Sequence, residues 1–143
     1  MRIGLVGCVK SKLRHAAPAR DLYTSPLIRG ARCAVERSCE RWFILSALHG
    51  LVEPDRVLEP YKRTLNTASP SQRRARAEQV LGQIDTTLGA DLSGDTFEAH
   101  AGRAYLAFGL VEGLEARGAT VEQPLEGLGL GKRLAAYSAM GCP

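Results

Sequence analysis

Short apolar runs alternate along this chain with segments in which apolar residues recur every three or four positions. The apolar runs cover residues 2–9, 41–46, 96–101 and 120–124, and polar or turn-forming residues bound each of them. Runs of this length are typical of strands in a parallel sheet that is covered on both faces. The segments between them have the periodicity of amphipathic helices. The pattern therefore predicts strands and helices in alternation.

Capping residues mark where the first two predicted helices begin. Ser25 is a good N-cap, and Pro26 after it lacks the backbone N–H that would otherwise stay unpaired in the first turn. Ser69 and Gln72 have the spacing of a capping box at the start of the second helix. Both signals are local, and each predicts where its helix begins.

The rest of the chain is predicted to form two further helices and one long connection. A third helix is predicted over residues 103–117, with Gly118 as its left-handed C-cap. A glycine-rich turn at 127–131 opens a fourth helix that runs through Tyr137. The long connection at 47–68 is predicted to be a packed loop, because it carries apolar residues that disordered linkers lack.

The order of these elements defines the predicted fold. Four strands, each followed by a helix and joined by short connections, imply a parallel sheet with helices on both faces. A chain of 143 residues is long enough for one such domain with a substantial core. We therefore predict a single α/β domain over residues 1–143, a three-layer sandwich around a central four-stranded parallel sheet.

Composition narrows the class of protein. The chain is 45% hydrophobic and 24% charged, as in ordinary globular proteins. No apolar run approaches the ~18 residues of a membrane span, so we expect no membrane partner. The N-terminal residues fit a strand better than a signal peptide, since no small-residue cleavage site follows a long apolar core. We expect a cytoplasmic protein.

The cysteine pattern excludes the common zinc motifs. Cys8, Cys33, Cys39 and Cys142 include no pair with two-residue spacing. A chain with its own core and no export signal has little need of disulfides. We expect reduced thiols and no metal. The turn at 127–131 lacks the spacing of a Walker loop, and we expect no cofactor.

Charge is divided unevenly along the chain. Residues 1–76 hold 15 Lys and Arg against 6 Asp and Glu, whereas residues 77–143 hold 4 against 9. This asymmetry predicts a basic face toward an anionic partner. Two groups of cations stand out, Lys10, Lys12, Arg14 and Arg20 in the first and Arg73, Arg74 and Arg76 in the second. The alternative for the second group is a solvated helix face.

Polar residues follow each predicted strand, and parallel strands end at one edge of their sheet, where open α/β sheets bind ligands. His49 and His100 lie at two of these ends and can transfer protons near neutral pH, so with Ser46 they are the candidate catalytic residues. Either histidine can instead be a structural hydrogen-bonding group. Cys8 is either a nucleophile activated by nearby cations or a small buried hydrophobe.

The candidate substrate-binding residues share an affinity for phosphates or bases. They are Cys8, Lys10, Ser11, Lys12, Tyr23, Ser25, Gly50, Tyr61, Gly102, Tyr105, Gly127, Gly129 and Lys132. The lysines and the glycine-rich turn are suited to phosphate, and the tyrosines to stacking on a base. Packing against the backbone is the alternative for the glycines, and half-buried packing for each tyrosine.

Several blocks resemble a small bacterial domain family of unknown function. The first block comprises residues 7–12 and 21–27, and the others lie at 43–65, 100–105 and 124–134, so that the resemblance covers nearly the whole chain.

Two blocks resemble, more distantly, the catalytic core of archaeosine synthase, which acts on a deazaguanine base in transfer RNA. Cys8 precedes Lys10 and Lys12 as a Pro-Cys precedes a Lys-bearing turn there, although Gly7 stands in place of the Pro. The block at 50–54 and the tyrosine after it are similar to a second block of that core. The layout is also similar to uracil-DNA-glycosylase-like domains at the level of the fold.

Together these features predict a nucleobase-processing enzyme that acts on nucleic acid, with DNA favoured, or on a nucleotide. The favoured reaction is hydrolysis of the N-glycosidic bond of a modified base, as in a DNA glycosylase of DNA repair. Two alternatives stay open: a non-catalytic nucleic-acid or nucleotide-binding module of a stress response, and a base-modifying transferase. We expect a monomer or a weak homodimer.

Overall fold

The computed structural model describes residues 1–7 and 11–142 of the chain. In chain order, its elements are β1 (Arg2–Gly7), β2 (Ala17–Pro18), α1 (Ala19–Leu22), α2 (Pro26–Ser38), β3 (Arg41–Ser46), β4 (Gly50–Val52), β5 (Val57–Leu58), α3 (Pro70–Leu88), β6 (Thr96–His100), α4 (Arg103–Leu106), α5 (Leu110–Ala116), β7 (Thr120–Glu122) and α6 (Leu130–Ala139). Within the described ranges, none of the helices combines the length and apolar character that crossing a bilayer requires.

A five-stranded, mostly parallel sheet in the order β4-β3-β1-β6-β7 forms the centre of the fold. Strands β3, β1, β6 and β7 run parallel to one another, with Gly7 opposite Leu45 and Val6 opposite His100. The predicted α/β layout with a mostly parallel central sheet is therefore confirmed. The predicted count of four strands is wrong, because β4 adds an antiparallel fifth strand at the edge.

The fifth strand lies in the connection that the sequence predicts to be a loop. The chain turns back after Ser46, which pairs with Gly50. Gly50 has a φ of +74°, and a β-carbon there would lie 2.4 Å from Oε1 of Gln83 on α3. The positive φ favours glycine, and another residue would also displace the Gln83 side chain. A strand of three residues is too short for hydrophobic periodicity to reveal, which explains the error.

Alternate residues of the strands enter two hydrophobic cores. Ile3 and Leu5 of β1 pack in a core with side chains of α3, α4 and α5. Val6 belongs to a second core with side chains of α2 and α6. A β-carbon at Gly4 would lie 2.6 Å from Cβ of Val35, so this glycine lets α2 approach the sheet closely. The three-layer description of this packing stays an interpretation.

The capping residues predicted the starts of α2 and α3 correctly, whereas the prediction of one continuous third helix is wrong. Ser25 caps α2 and the Ser69–Gln72 capping box opens α3, as predicted. The single helix predicted over residues 103–117 is divided into α4 and α5. Gly109 separates them with a φ of +107°, a left-handed conformation that interrupts helical hydrogen bonding.

Cys33 and Cys142 form a disulfide, so the expectation that all thiols are reduced is wrong. A β-carbon at Gly30 of α2 would lie 2.4 Å from the ring of Tyr137 on α6, which shows how closely the two helices pack. This packing brings the cysteine Cα atoms to 5.6 Å. The two cysteines are 109 residues apart in sequence, so no local sequence pattern predicts that they pair.

Reduction of this disulfide should lower the free energy of unfolding by about 2–4 kcal/mol, because the bond restricts the unfolded chain over a long loop. Urea unfolding with and without a thiol reductant measures the effect. Cys33→Ser should match the reduced wild type and should not respond to the reductant. A wild-type midpoint that is independent of reductant would contradict the cross-link.

Candidate functional site

The parallel strands β3, β1 and β6 end at one edge of the sheet, marked by Ser46, Gly7 and His100. Two groups of polar side chains lie along this edge. The tyrosine cluster consists of Lys12, Tyr23, Ser46, His49 and Tyr61. The arginine cleft is the cavity that Arg73, Arg103 and Arg133 line together with His100 and Tyr105.

A chain of hydroxyl groups forms the centre of the tyrosine cluster. The Tyr61 hydroxyl lies 2.6 Å from Oγ of Ser46 and 2.6 Å from the hydroxyl of Tyr23. Oγ of Ser46 also accepts hydrogen bonds from the backbone N–H groups of Leu48 and His49, at 3.2 and 3.0 Å. Because these two bonds use its acceptor sites, the Ser46 hydroxyl donates its own proton to Tyr61.

Two titratable side chains flank the ring of Tyr61. Nζ of Lys12 lies 4.4 Å from the ring centre, within cation–π distance. The His49 ring meets it edge-on at 5.5 Å between centroids. Burial lowers the pKa of His49, and the positive charges of Arg56 and Arg76 lower it further. His49 is therefore neutral at pH 7 and can accept a proton.

The arginine cleft has a volume of about 570 Å³ and opens where β1 and β6 end. Side chains from α2, α3, α4 and α6 form its walls. Among the described residues, no Asp or Glu lines it. Nor do Arg73, Arg103 and Arg133 form an ion pair with any carboxylate in the described part of the chain. Their charges therefore act together on whatever enters the cleft.

Backbone carbonyls, rather than carboxylates, hold two of these guanidinium groups in place. Arg73 donates from Nε to the carbonyl of Leu65 at 2.9 Å and from Nη2 to that of Asn66 at 3.0 Å. Arg133 donates from Nε to the carbonyl of Leu128 at 2.8 Å. These bonds orient the planar donors without neutralising their charge. Such an arrangement is suited to an oxyanion such as phosphate.

His100 lines the cleft, but protein groups hold both of its ring nitrogens. Nε2 lies 2.7 Å from Oε2 of Glu98, and Nδ1 lies 2.8 Å from the hydroxyl of Tyr137. The His100 side chain is only 1% exposed. This arrangement fixes the orientation of His100. A direct catalytic role for it stays a prediction, and it would require His100 to release one of these partners.

Glu98 is the buried centre of this network. Burial alone would raise the pKa of Glu98, but hydrogen bonds from His100, Arg2 and Ser38 outweigh it and lower the pKa. Arg2 donates to the carboxylate at 2.6 Å from β1. Burial raises the pKa of Tyr137 to about 12, so its phenol stays protonated at neutral pH. The network thus joins β1, β6, α2 and α6 beneath the cleft.

The predicted binding residues divide between the two groups. Gly102 and Tyr105 line the arginine cleft, and Gly127 lines a pocket of about 460 Å³ beside it. Lys12, Tyr23 and Tyr61 belong to the tyrosine cluster. Tyr23 is buried, so its ring packs inside the cluster instead of facing a ligand. Tyr105 is the predicted tyrosine that lines the cleft.

Several other predicted binding residues have structural roles in helix caps, backbone hydrogen bonds or turns. Ser25 accepts the N–H of Ile28 as the cap of α2, and the carbonyl of Ser11 accepts the N–H of Thr24. Gly50 forms the turn into β4 and Gly129 precedes α6. Cys8 and Lys10 lie outside the described residues. Within residues 1–7 and 11–142, no three His, Cys, Asp or Glu side chains gather as a metal site would need.

The three arginines of the cleft were not predicted as binding residues. Arg73 belongs to the second basic group, for which a solvated helix face was the alternative. Lys132 was predicted in the place of Arg133, but Lys132 is exposed on α6 whereas its neighbour lines the cleft. The first residue of α6 determines which of the two side chains faces the cleft. The glycines before α6 make that first residue hard to predict from the sequence.

Fold and site define an α/β protein with an arginine-lined cleft at the carboxyl edge of its sheet. The chain belongs to a family described as a family of unknown function (DUF6884), whose model matches residues 3–139. No curated protein and no solved structure matches the chain. The resemblances to archaeosine synthase and to uracil-DNA-glycosylase-like domains receive no support from these comparisons and stay predictions.

Arg133→Gln should weaken the binding of inorganic pyrophosphate about tenfold, because it removes a charge-assisted contact from the cleft. Lys132→Gln is the matched control: it removes the same charge one position away, on the exposed face, and should change affinity by less than about twofold. Isothermal titration calorimetry measures both. Equal losses in the two variants would contradict an anion site in the cleft.

Proposed function

We propose that this protein binds the phosphate groups of a nucleic acid or nucleotide in the arginine cleft and hydrolyses the N-glycosidic bond of the attached base. The cleft carries this proposal, since three arginines without carboxylate partners among the described residues line it. Its volume of about 570 Å³ is in the range of ~300–1,000 Å³ that is usual for small-molecule sites.

Binding follows from the chemistry of the lining. The forked donors of Arg103 and Arg133 can each make two hydrogen bonds to one phosphate, which gives orientation as well as affinity. Tyr105 offers an aromatic ring against which a base can stack. The excess of cations in residues 1–76 supports a polyanionic ligand, and the resemblances seen in the sequence favour DNA with a modified base.

Hydrolysis needs a base for the attacking water and stabilisation of the negative charge on the leaving nucleobase. His49 is suited to the first task, because it is neutral at pH 7 and can take the proton from water as oxygen attacks C1′ of the sugar. Lys12 and the Tyr61 hydroxyl are suited to the second, since both are hydrogen-bond donors and Nζ of Lys12 lies 4.4 Å from the centre of the Tyr61 ring. The base departs with the electron pair of the broken C–N bond.

A binding module without catalysis is the second candidate, and the network around His100 favours it. Glu98 and Tyr137 occupy both ring nitrogens of this histidine, which leaves the cleft without an available general base among its described lining residues. In that case the cleft would retain a nucleotide or a strand without altering it.

The wild-type protein should release free base from at least one member of a panel of oligonucleotides that each carry one modified base. His49→Ala should lower that rate about 10²–10⁴-fold, the usual contribution of a general base. His15→Ala, which removes an exposed histidine next to Arg14, is the control and should keep the rate. Mass spectrometry of the released bases measures both.

If the protein binds these oligonucleotides and releases no base, the hydrolase proposal is wrong and the binding module is favoured. A rate that survives His49→Ala would remove His49 from the mechanism.

A further inference from the structure

A second cavity, of about 470 Å³, lies between α3 and the turn that follows β3. We call it the Arg63–Arg76 pocket after its two charged residues. Gln72, Gln79 and the threonines of the loop before α3 provide most of its other polar groups. No Asp or Glu lines it among the described residues. It shares Thr64 with the arginine cleft, so the two cavities adjoin.

Arg76, which lines this pocket, has a buried donor without a partner. Its Nε is buried and has no hydrogen-bond partner, and in the described ranges it is the one buried side-chain nitrogen or oxygen of which this is true. Nη1 of the same guanidinium donates to Gln79, so the group is held at one end only. A buried N–H of a charged group is costly to leave unpaired. Because Arg76 lines the pocket, an anion bound there would offset part of the cost of burying this guanidinium.

The positive charges of Arg76 and Arg63 favour a negatively charged acceptor in this pocket. Burial lowers the pKa of Arg76, and the nearby charge of Arg63 lowers it further. Neither guanidinium forms an ion pair in the part of the chain that the structure describes. Two like charges, one of them desolvated, are unfavourable in the free protein, and an oxyanion between them relieves both costs.

We propose that the Arg63–Arg76 pocket binds a second phosphate group, so that the ligand is a polynucleotide strand with one phosphate in each cavity rather than a mononucleotide. The shared wall at Thr64 places the two sites side by side, as successive phosphates of one strand require. The identity of the strand rests on the proposed function of the arginine cleft. The affinity of the pocket for phosphate does not.

Arg76→Gln should weaken the binding of a short single-stranded oligonucleotide about tenfold or more, because it removes a charge-assisted contact. It should also reduce the slope of log affinity against log salt by about 0.7, the value for one phosphate contact on a single strand. Affinity for a nucleoside monophosphate should not change, since that ligand fills the arginine cleft alone. Fluorescence anisotropy and calorimetry measure these quantities.

Arg74→Gln is the matched control for these measurements. Arg74 is exposed on the same helix, two positions from Arg76, and lines neither cavity. Its replacement should leave the oligonucleotide affinity within about twofold of wild type.

Thermal unfolding separates a ligand site from a structural role. In phosphate-free buffer, Arg76→Gln should be at least as stable as wild type, because it removes a half-buried charge that has no carboxylate partner in the described part of the chain. Inorganic phosphate should raise the melting temperature of wild type more than that of the variant. A melting temperature that falls in the variant and an equal response to phosphate would mean that Arg76 is structural and would overturn the inference.

The remaining outcomes distinguish this inference from the proposed function. If Arg76→Gln leaves oligonucleotide affinity and salt slope unchanged while Arg133→Gln weakens binding, the second site is wrong and the cleft stands. If Arg76→Gln weakens mononucleotide and oligonucleotide binding equally, the two-phosphate arrangement is wrong. If Arg133→Gln has no effect and Arg76→Gln alone weakens phosphate binding, the pocket stands and the proposed role of the cleft fails.

Discussion

Parallel pairing of β1 with β3 and β6 is the constraint on which the whole site depends. It places the carboxyl ends of three strands at one edge, so that residues far apart in sequence meet there. Gly7 makes the last step of this pairing possible, since a β-carbon there would lie 2.7 Å from Cβ of Ala101. A larger residue would push β1 and the segment after β6 apart, and the shape of the cleft that Gly7 and Ala101 both line would change.

Two cavities near this edge are lined by arginines that form no ion pair with a carboxylate in the described part of the chain. Several arginines elsewhere do pair with carboxylates: Arg2 with Glu98 and Glu122, Arg20 with Asp55, Arg32 with Asp21 and Glu36, Arg41 with Glu53, and Arg117 with Asp85. Around the two cavities, described guanidinium groups are held instead by carbonyls and a glutamine. Charges that are fixed but not neutralised cost stability in the free protein, and under our proposal an anionic ligand offsets that cost.

Local signals in the sequence were sufficient for the framework and insufficient for the site. Ser25 and Ser69 fix helix starts through bonds to residues three positions away, so a single sequence reveals them. The third predicted helix is divided because Gly109 adopts a left-handed conformation. A single glycine in a helical pattern does not predict that conformation. Cys33 pairs with Cys142, and Arg133 rather than Lys132 lines the cleft, because α6 packs on α2 in one particular rotation. Relations of that kind arise only from tertiary packing.

The structure of the protein in complex with a short single-stranded oligonucleotide tests the central claim most directly. The account predicts a phosphate within hydrogen-bonding distance of Arg103 and Arg133, with the attached base against Tyr105. A strand bound on the outer face of α6 at Lys132, with the cleft left to solvent, would contradict it.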